Sequence, residues 1–216
     1  MFRALTRLFQ PSTGNPALEG MVFHPTQTCP ECGSRFWAQN DKQDWRCPNP
    51  DCPAQVRRAL AHWCSPEAMD IPGCDDALIA KLVGKGLARD VAEIYRLKAD
   101  EIAALDGMDK ETAQQFFDAI TASMRRDAWR LLFGLNIPLV GDQEARALGR
   151  GFPTVDAVFT AGVSQLNRNA GISEAAAQSL VHWHGDSVNR KLVARLRKLG
   201  LNFKSSIYNP ISGPKA

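Results

Sequence analysis

A five-residue turn recurs along the chain, and this repeat constrains the fold more than any other feature of the sequence. Its four copies begin 34, 32 and 32 residues apart, at Ile71, Leu105, Ile137 and Asn169. Three of the copies have glycine as their third residue: Gly73, Gly107 and Gly171. A period of this length indicates a repeated helical unit. An ordinary bundle of helices with short loops would explain the period but not the shared glycine.

A helix is predicted after each turn. Residues four and seven positions beyond the end of a turn lie on one face of a helix. In every copy these positions are small or apolar: Ile79 and Leu82, Ala113 and Phe116, Ala145 and Leu148, Ala177 and Leu180. The composition from about residue 54 to 203 is also rich in helix-forming residues. We therefore predict a mainly α fold in which each unit is a turn and a helix, packed on the preceding helix.

The cysteines ahead of the repeat have the spacing of a metal site. Two close pairs are separated by 14 residues: Cys29, Cys32, Cys47 and Cys52. Zinc prefers four thiolates in a tetrahedron, and four protein ligands leave no position for a reacting water. We expect a structural zinc, with a redox pair or an iron–sulfur site as alternatives. Cys64 and Cys74 are expected to be buried thiols rather than a disulfide.

Charge and hydropathy narrow the possible partners and the compartment. The net charge of +3 and the pI of 8.6 permit a polyanionic partner without requiring one. No run of 18 or more apolar residues exists, so neither a membrane span nor a membrane partner is predicted. The basic, amphipathic segment 1–9 lacks the apolar stretch and the cleavage site of a secretory signal. We expect a cytoplasmic protein.

Several stretches of the chain resemble a known family. In the same order and at similar spacings, the zinc-finger and helix-hairpin-helix region of bacterial NAD-dependent DNA ligases is matched by HPTQTCPECGS, WRCPNPDCPAQ, AMDIPG, RLLFGLNIPLVG and NRKLVARL. The resemblance covers about residues 23 to 203. It implies that the four cysteines bind zinc and that the four turns are hairpins that contact duplex DNA around a nick.

The resemblance leads us to expect a mainly α protein with a small four-cysteine zinc ribbon and a tandem helix-hairpin-helix domain of four units. The predicted boundaries are an irregular N-terminal extension at 1–24, a zinc finger at 25–58, the helix-hairpin-helix domain at 59–204 and a C-terminal tail at 205–216. The tail has two prolines and no apolar period, so we expect it to be frayed.

The catalytic motif of that family has no counterpart in the chain. In enzymes of that family, the amine of a lysine in a Lys-x-Asp-Gly motif attacks the adenylyl phosphate of NAD. The nearest string runs from Lys98 to Glu101, where glutamate replaces the glycine and the setting is helical. We therefore expect no catalytic residue and no bound NAD in this chain. The family's adenylation, oligonucleotide-binding and C-terminal partner-binding domains are expected to be missing as well.

The fifth residue of each turn decides whether the next helix is able to receive a phosphate. The first N–H groups of a helix are unsatisfied and attract anions. Asp75 and Asp109 are preferred N-cap residues whose carboxylates accept those N–H groups, so turns one and two are predicted to be self-capped. Gly141 leaves turn three open, and Ser173 is neutral and able to donate its hydroxyl. Turns three and four are therefore predicted to contact DNA.

Basic residues concentrate beside turns three and four. The densest basic run lies between residues 189 and 204, and an isolated run of this kind would be a solvated outer face. Its place next to two open turns favours a surface that follows the phosphates. The predicted DNA contacts are Gly141, Gly171, Ser173, Arg168, Arg190, Lys191, Arg195 and Lys198. A second, weaker cluster consists of Arg125, Arg126 and Arg130.

Three functions agree with these features. The first is a non-catalytic, sequence-independent duplex DNA-binding protein of DNA repair or replication. The second is the DNA-binding half of a split or truncated NAD-dependent DNA ligase, with its adenylating half on a separate chain. The third is an interaction scaffold that has lost DNA binding and docks through residues 1–9.

Overall fold

The computed structural model describes residues 21–39, 45–49 and 51–209. The predicted amphipathic segment 1–9 and the end of the predicted tail lie outside the described residues. The chain divides into two compact units, of which the first ends at Gln55 and the second begins at Val56. No helix in the described ranges combines the length and the apolar character that a membrane crossing requires.

The first unit contains a two-stranded antiparallel sheet of β1, Met21–Thr28, and β2, Arg35–Gln39. The backbone of Trp37 also exchanges hydrogen bonds of 2.9 and 2.8 Å with Arg46. The prediction of an irregular segment up to residue 24 is wrong here, because β1 begins at Met21. Strand β1 contains Pro25, and proline usually indicates irregular structure. Both strands of a two-stranded sheet are edge strands, where proline is tolerated, and the register of β1 is irregular near Pro25.

The predicted mainly α fold is confirmed in the second unit. The helices of the described chain are α1 Pro53–Cys64, α2 Asp76–Gly84, α3 Val91–Ile94, α4 Ala99–Ala103, α5 Lys110–Ser123, α6 Ala128–Gly134, α7 Asp142–Gly151, α8 Val155–Thr160, α9 Val163–Ala170, α10 Glu174–Gly185 and α11 Ser187–Lys198. The predicted boundary between residues 58 and 59 falls inside α1, so it does not separate two elements.

The four turns join helices as the repeat predicts. The first hairpin consists of α1, turn 71–75 and α2; the second of α4, turn 105–109 and α5; the third of α6, turn 137–141 and α7; the fourth of α9, turn 169–173 and α10. The helix faces inferred from the period are buried in all four units: Ile79, Leu82, Ala113, Phe116, Ala145, Leu148, Ala177 and Leu180. The tandem arrangement of four hairpins is therefore confirmed.

Glycines permit close approaches between helices of this unit. A Cβ atom on Gly151, at the end of α7, would lie 2.5 Å from the backbone oxygen of Asn169 in α9. A Cβ atom on Gly134, at the end of α6, would lie 2.9 Å from the ring of Trp63 in α1. Neither gap accommodates a side chain, because both distances are shorter than a van der Waals contact. These two glycines therefore serve packing rather than turn formation.

A buried polar chain lies inside the same core. The indole N–H of Trp63 donates to the hydroxyl of Tyr95 at 3.0 Å, and that hydroxyl lies 3.1 Å from the Oγ of Ser123. Burial raises the pKa of Tyr95 above its usual range. The thiols of Cys64 and Cys74 are free, and their mutual hydrogen bond, together with burial, raises the pKa of Cys64.

The beginning of the predicted tail is bonded to the helical unit. The hydroxyl of Ser205 donates to the backbone oxygen of Gly149 at 2.8 Å. The backbone N–H of Ser206 donates to Oδ2 of Asp127 at 2.6 Å. The prediction of a frayed end is therefore wrong for residues 205–209. Hydrogen bonds hold this segment, whereas the sequence prediction relied on the lack of regularly spaced apolar residues.

Candidate metal centre and nucleic-acid interface

The four predicted zinc ligands meet at one place. Their Sγ atoms all lie within 4.8 Å of one another: Cys29, Cys32, Cys47 and Cys52. Two of the separations are 3.6 Å, from Cys29 to Cys52, and 3.4 Å, from Cys32 to Cys47. Zinc–sulfur bonds of about 2.3 Å in a tetrahedron put the sulfurs roughly 3.8 Å apart, whereas a disulfide needs about 2.05 Å. The donor set fits one structural zinc ion.

Backbone hydrogen bonds shape the turns that carry these ligands. The N–H of Gly33 donates to the oxygen of Cys29, and the N–H of Cys29 donates to the oxygen of Ser34, both at 2.8 Å. Gly33 has a φ of +71°, which side chains with a Cβ rarely adopt. In the second pair, the N–H of Cys52 donates to the oxygen of Asn49 at 3.1 Å. The ligands are thus positioned by the turns themselves.

The thiols of this centre differ in acidity. Burial raises the pKa of Cys47 to about 12. Burial also acts to raise the pKa of Cys32, but hydrogen bonds, led by that with the side chain of Ser34, outweigh it and lower the pKa to about 6. Zinc binds thiolates, so binding of the ion displaces the protons that remain on the less acidic thiols.

The first two hairpins have aspartate caps. Oδ1 of Asp75 accepts the N–H of Leu78 at 2.7 Å, and Oδ1 of Asp109 accepts the N–H of Thr112 at 2.8 Å. Oδ2 of Asp109 also accepts the hydroxyl of Thr112 at 2.9 Å. These bonds, the backbone one first, lower the pKa of Asp109. Each carboxylate takes an N–H group that a phosphate would otherwise use.

The tip of the second hairpin is also tied to the first. Nζ of Lys81, on α2, donates to the backbone oxygen of Asp106 at 2.6 Å. Nζ of Lys85 lies 3.5 Å from Oδ2 of the same residue. These lysines are not predicted by the sequence, because no local pattern relates them to a turn in the next unit. The second hairpin thus uses its polar groups inside the protein.

The third hairpin has no side-chain cap on the first turn of α7. The expectation of a fully open turn is nevertheless wrong, because the N–H of Gly141 donates to Oε2 of Glu144 at 3.0 Å. Both oxygens of Asp142 accept Nε of Arg146 at 2.9 Å, and the guanidinium of Arg146 lies 3.7 Å from the ring centre of Trp129. The capping-box rule could have identified Glu144, which lies at the third helical position.

The fourth hairpin is capped by its serine. Oγ of Ser173 accepts the N–H of Ala176 at 3.2 Å, which leaves the hydroxyl hydrogen able to donate. Gly171 has a φ of +67°, and its N–H donates to the oxygen of Asn167 at 2.8 Å, so it closes α9. Arg168 is exposed, lies beside an open depression of about 890 Å³, and forms no ion pair with the described residues.

The predicted basic surface on α11 contains two kinds of cation. Lys191 and Lys198 are exposed and form no ion pair within the described part of the chain. Arg195 instead pairs with Asp90, and Arg190 donates to the backbone oxygen of Gly185 at the end of α10. Arg190 and Arg195 are therefore bonded within the protein, and their contact with DNA stays a prediction.

The second cluster of arginines serves the fold as well. Arg126 forms an ion pair with Asp70, in the loop that precedes the first turn. Nη1 of Arg130 donates to the backbone oxygens of Pro66 and Ala68, both at 2.7 Å. These two side chains hold the loop between α1 and the first turn.

Comparison with known families assigns these parts of the chain. Residues 28–54 match the NAD-dependent DNA ligase C4 zinc finger domain. Residues 65–119 match the SAM-like helix-hairpin-helix tandem, and residues 130–193 match the helix-hairpin-helix motif. These matched ranges contain the cysteine centre and the four turns that the structure brings into hairpins.

Curated relatives extend the similarity over most of the chain. A DNA ligase of Methylacidiphilum infernorum is 38% identical over 194 residues, which cover 88% of this chain and 27% of the relative. A DNA ligase of Rubrobacter xylanophilus is 38% identical over 192 residues, with 89% and 28% covered. The chain thus spans little more than a quarter of the length of the relatives it matches. Over that span it matches the C4 zinc finger domain of NAD-dependent DNA ligases and, after it, two helix-hairpin-helix models.

Proposed function

We propose that this chain is a non-catalytic, sequence-independent duplex DNA-binding protein that acts in DNA repair or replication in the cytoplasm. The third hairpin carries the proposal, because its second helix is the one among the four hairpins that no side chain caps. The N–H groups in the first turn of α7 are able to receive a phosphate oxygen. The similarity to DNA ligases supports DNA as the source of that phosphate.

Exposed cations lie on two helices close to the third hairpin. Arg168 lies on α9, while Lys191 and Lys198 lie on α11, and both helices pack against α10. The third turn also contacts α10, since the hydroxyl of Ser179 donates to the backbone oxygen of Pro138 at 2.5 Å. The uncapped turn and the three cations are therefore arranged around one helix. Their combined charge favours a polyanion over a single anion.

Sequence independence follows from the kind of group that this surface offers. Backbone N–H groups and lysine or arginine side chains contact phosphates, which are the same at every base pair. Sequence readout requires side chains that hydrogen-bond with base edges in the major groove. We assign no such role to the described helices. The ligase similarity makes a nicked duplex the preferred form of the ligand.

A salt titration tests the proposal. The affinity for a labelled duplex of arbitrary sequence is measured by fluorescence anisotropy at increasing salt concentrations. We expect the logarithm of the association constant to fall linearly with the logarithm of the salt concentration, by about 0.9 for each phosphate contact. Affinity that does not fall with salt would overturn the proposal.

Charge-reversed variants identify the cations that take part. Changing Lys191→Glu and Lys198→Glu together is expected to reduce the salt slope by about 2, because two phosphate contacts are lost. Lys110→Glu is the matched control, since Lys110 is an exposed lysine at the start of α5 in the capped second hairpin. Because the control reverses one lysine rather than two, a loss of about half that size in it would show that the charge acts through the whole molecule rather than at this surface.

A second candidate is the DNA-binding half of a split or truncated ligase. It is favoured by the relatives, which are DNA ligases of which the chain covers 26 to 29%. The string from Lys98 to Glu101 lies at the start of α4, where the N–H of Lys98 donates to Oε2 of Glu101 at 2.9 Å. In this candidate the adenylating site and the NAD are on a separate chain. Restoration of nick sealing on mixing with a separate adenylating domain would favour this candidate.

A third candidate is an interaction scaffold without DNA binding. It is favoured by the caps on three of the four hairpins, formed by Asp75, Asp109 and Ser173. The ion pair of Arg195 with Asp90 also favours this candidate, because it neutralises a positive charge on α11. A scaffold would bind no duplex at any salt concentration, so the titration described above separates it from the other two candidates.

A further inference from the structure

The third turn exposes a leucine at the position that glycine occupies in the other three. Gly73, Gly107 and Gly171 have φ angles of +82°, +76° and +67°. Leu139 has a φ of +63°, in the left-handed region that residues with a Cβ rarely adopt. The chain therefore keeps a bulky side chain where the backbone conformation favours glycine, and the turn alone does not explain that choice.

The core does not explain the leucine either. Leu139 is 65% exposed, whereas Ile137, two residues before it, and Val140, directly after it, are 2% and 5% exposed. The N–H of Val140 donates to the oxygen of Ile137 at 3.0 Å, and Ser179 holds the oxygen of Pro138 from α10. The turn is thus fixed by its buried neighbours while the apolar side chain of Leu139 is held in solvent.

We propose that Leu139 is a wedge that inserts between base pairs of duplex DNA from the minor groove. This proposal rests on the proposed function, because it requires the third hairpin to approach a duplex. An apolar side chain that enters a base step leaves water and covers the faces that it unstacks. An alkyl tip has no hydrogen-bonding group for the pattern of donors and acceptors in the major groove.

The surroundings of the leucine fit the same ligand. Gly141, two residues further on, begins the helix that no side chain caps, so a phosphate bound there would lie next to the wedge. Pro138 is also exposed, which makes the tip of the turn apolar over two consecutive residues. Unstacking costs least where the duplex is already interrupted. The wedge therefore gives the third hairpin a preference for a nicked over an intact duplex.

The test uses a nicked duplex with the fluorescent base 2-aminopurine beside the nick, since its emission rises when it is unstacked. We expect the full chain to raise the emission and to bind nicked more tightly than intact duplex. Leu139→Gly should lose the rise and about tenfold in affinity for nicked DNA, which is the scale of burying one leucine side chain. Its salt slope should not change, because the phosphate contacts remain.

Two further variants distinguish a wedge from a structural effect. Leu139→Phe keeps an apolar side chain and should keep the rise in emission. Val188→Ala is the matched control, because Val188 is 69% exposed and apolar but lies on α11, and it should change neither emission nor affinity. Glycine is the residue of the sister turns, so Leu139→Gly should have an undiminished melting temperature.

The outcomes separate the wedge from the proposed function. If Leu139→Gly binds nicked DNA as tightly as the unchanged chain, with the same emission, the wedge is overturned and DNA binding stands. If the unchanged chain binds no duplex at all, the proposed function is overturned as well. If Leu139→Phe also loses the rise in emission, an apolar wedge at this position is excluded.

Discussion

The second and third hairpins share a turn but differ in what satisfies the polar groups around it. In the second, Asp109 caps α5 through the N–H of Thr112, and Lys81 donates to the backbone oxygen of Asp106 at the tip. In the third, Gly141 offers no side chain, and α7 begins without a side-chain cap. The second helix of the same fold unit thus begins with a side-chain cap in one copy and without one in the other, and the fifth residue of the turn makes the difference.

The third hairpin is not fully open, and that detail sharpens the comparison. The carboxylate of Glu144 accepts the N–H of Gly141 at 3.0 Å, so an arriving phosphate must replace it. The side chain of Glu144 reaches back from inside α7 and is able to rotate away without breaking the turn. Asp109 is the N-cap residue of α5, so displacing its carboxylate removes the cap of that helix. The third hairpin is therefore the easier of the two to convert into a phosphate site.

Removing zinc is expected to have the largest effect on the structure. It tests whether the second and third hairpins keep their different starts when the first unit is unfolded. The described part of the first unit has one two-stranded sheet and few buried residues, so it should unfold when a chelator removes the ion. Structural zinc supplies about 10 kcal/mol or more in small domains. Circular dichroism should show that the helices of the second unit remain.

Readdition of zinc is the control for this experiment, because it should restore the first unit without affecting the second. DNA affinity measured after chelation then reports on the hairpins alone. If chelation melts the helices together with the zinc unit, the hairpins do not form an independent binding surface and the comparison loses its basis.

Gly141→Asp transfers the cap of the second hairpin to the third and should have the next largest effect. A carboxylate about 4 Å from a phosphate costs roughly 1 kcal/mol in high dielectric, so DNA affinity should fall about fivefold or more. Stability should change by only a few tenths of a kcal/mol, since glycine and aspartate differ little as N-caps. Fluorescence anisotropy and thermal unfolding measure the two effects.

Gly162→Asp is the matched control for that variant. Gly162 begins α9 without a side-chain cap, has open space around its Cβ position and lies outside the four turns. A new cap there should leave DNA affinity unchanged. If both variants weaken binding equally, added negative charge explains the loss and the third turn has no special role.

The parts of this fold that the sequence predicts are those set by local spacing. The period of the turns predicts the position of all four hairpins. Small residues such as Ala113 and Ala145 recur four residues after a turn, and they are buried in the structure. The zinc ligands followed from their spacing for the same reason, since thiolates on tight turns need no distant partner. Local patterns also contain the Gly141 and Glu144 pair, which the capping-box rule predicts.

The contacts that the sequence could not predict join residues far apart in the chain. Arg195 and Asp90 are separated by 105 residues, and no periodicity relates an arginine on α11 to the start of α3. The same holds for Lys81 and Asp106, which belong to different units. The sequence shows each arginine or lysine without its partner. Of the basic residues predicted on α11, the fold therefore leaves fewer without an intramolecular partner than the sequence suggests.

Glu144→Gln should have a smaller effect, and in the opposite direction. The amide oxygen is still able to accept the N–H of Gly141, so the turn should be retained while the negative charge beside the phosphate site is lost. DNA affinity should rise about two- to fivefold. Glu111→Gln, in the first turn of α5, is the control and should leave affinity unchanged. A lower affinity for Glu144→Gln would show that no phosphate replaces this carboxylate.

Asp109→Asn should have the smallest effect, because asparagine also caps helices and the second hairpin is not expected to contact DNA. Its consequence lies in the pH dependence of stability. The hydrogen bonds from Thr112 lower the pKa of Asp109 in the folded state, so the cap stabilises the fold above the usual aspartate pKa of about 3.9 and is lost as the pH falls through the lower folded value. The asparagine variant should lack this acid-linked loss, which thermal unfolding at several pH values measures. A fall in DNA affinity as large as that of Gly141→Asp would mean that the closed hairpin binds DNA as well as the open one.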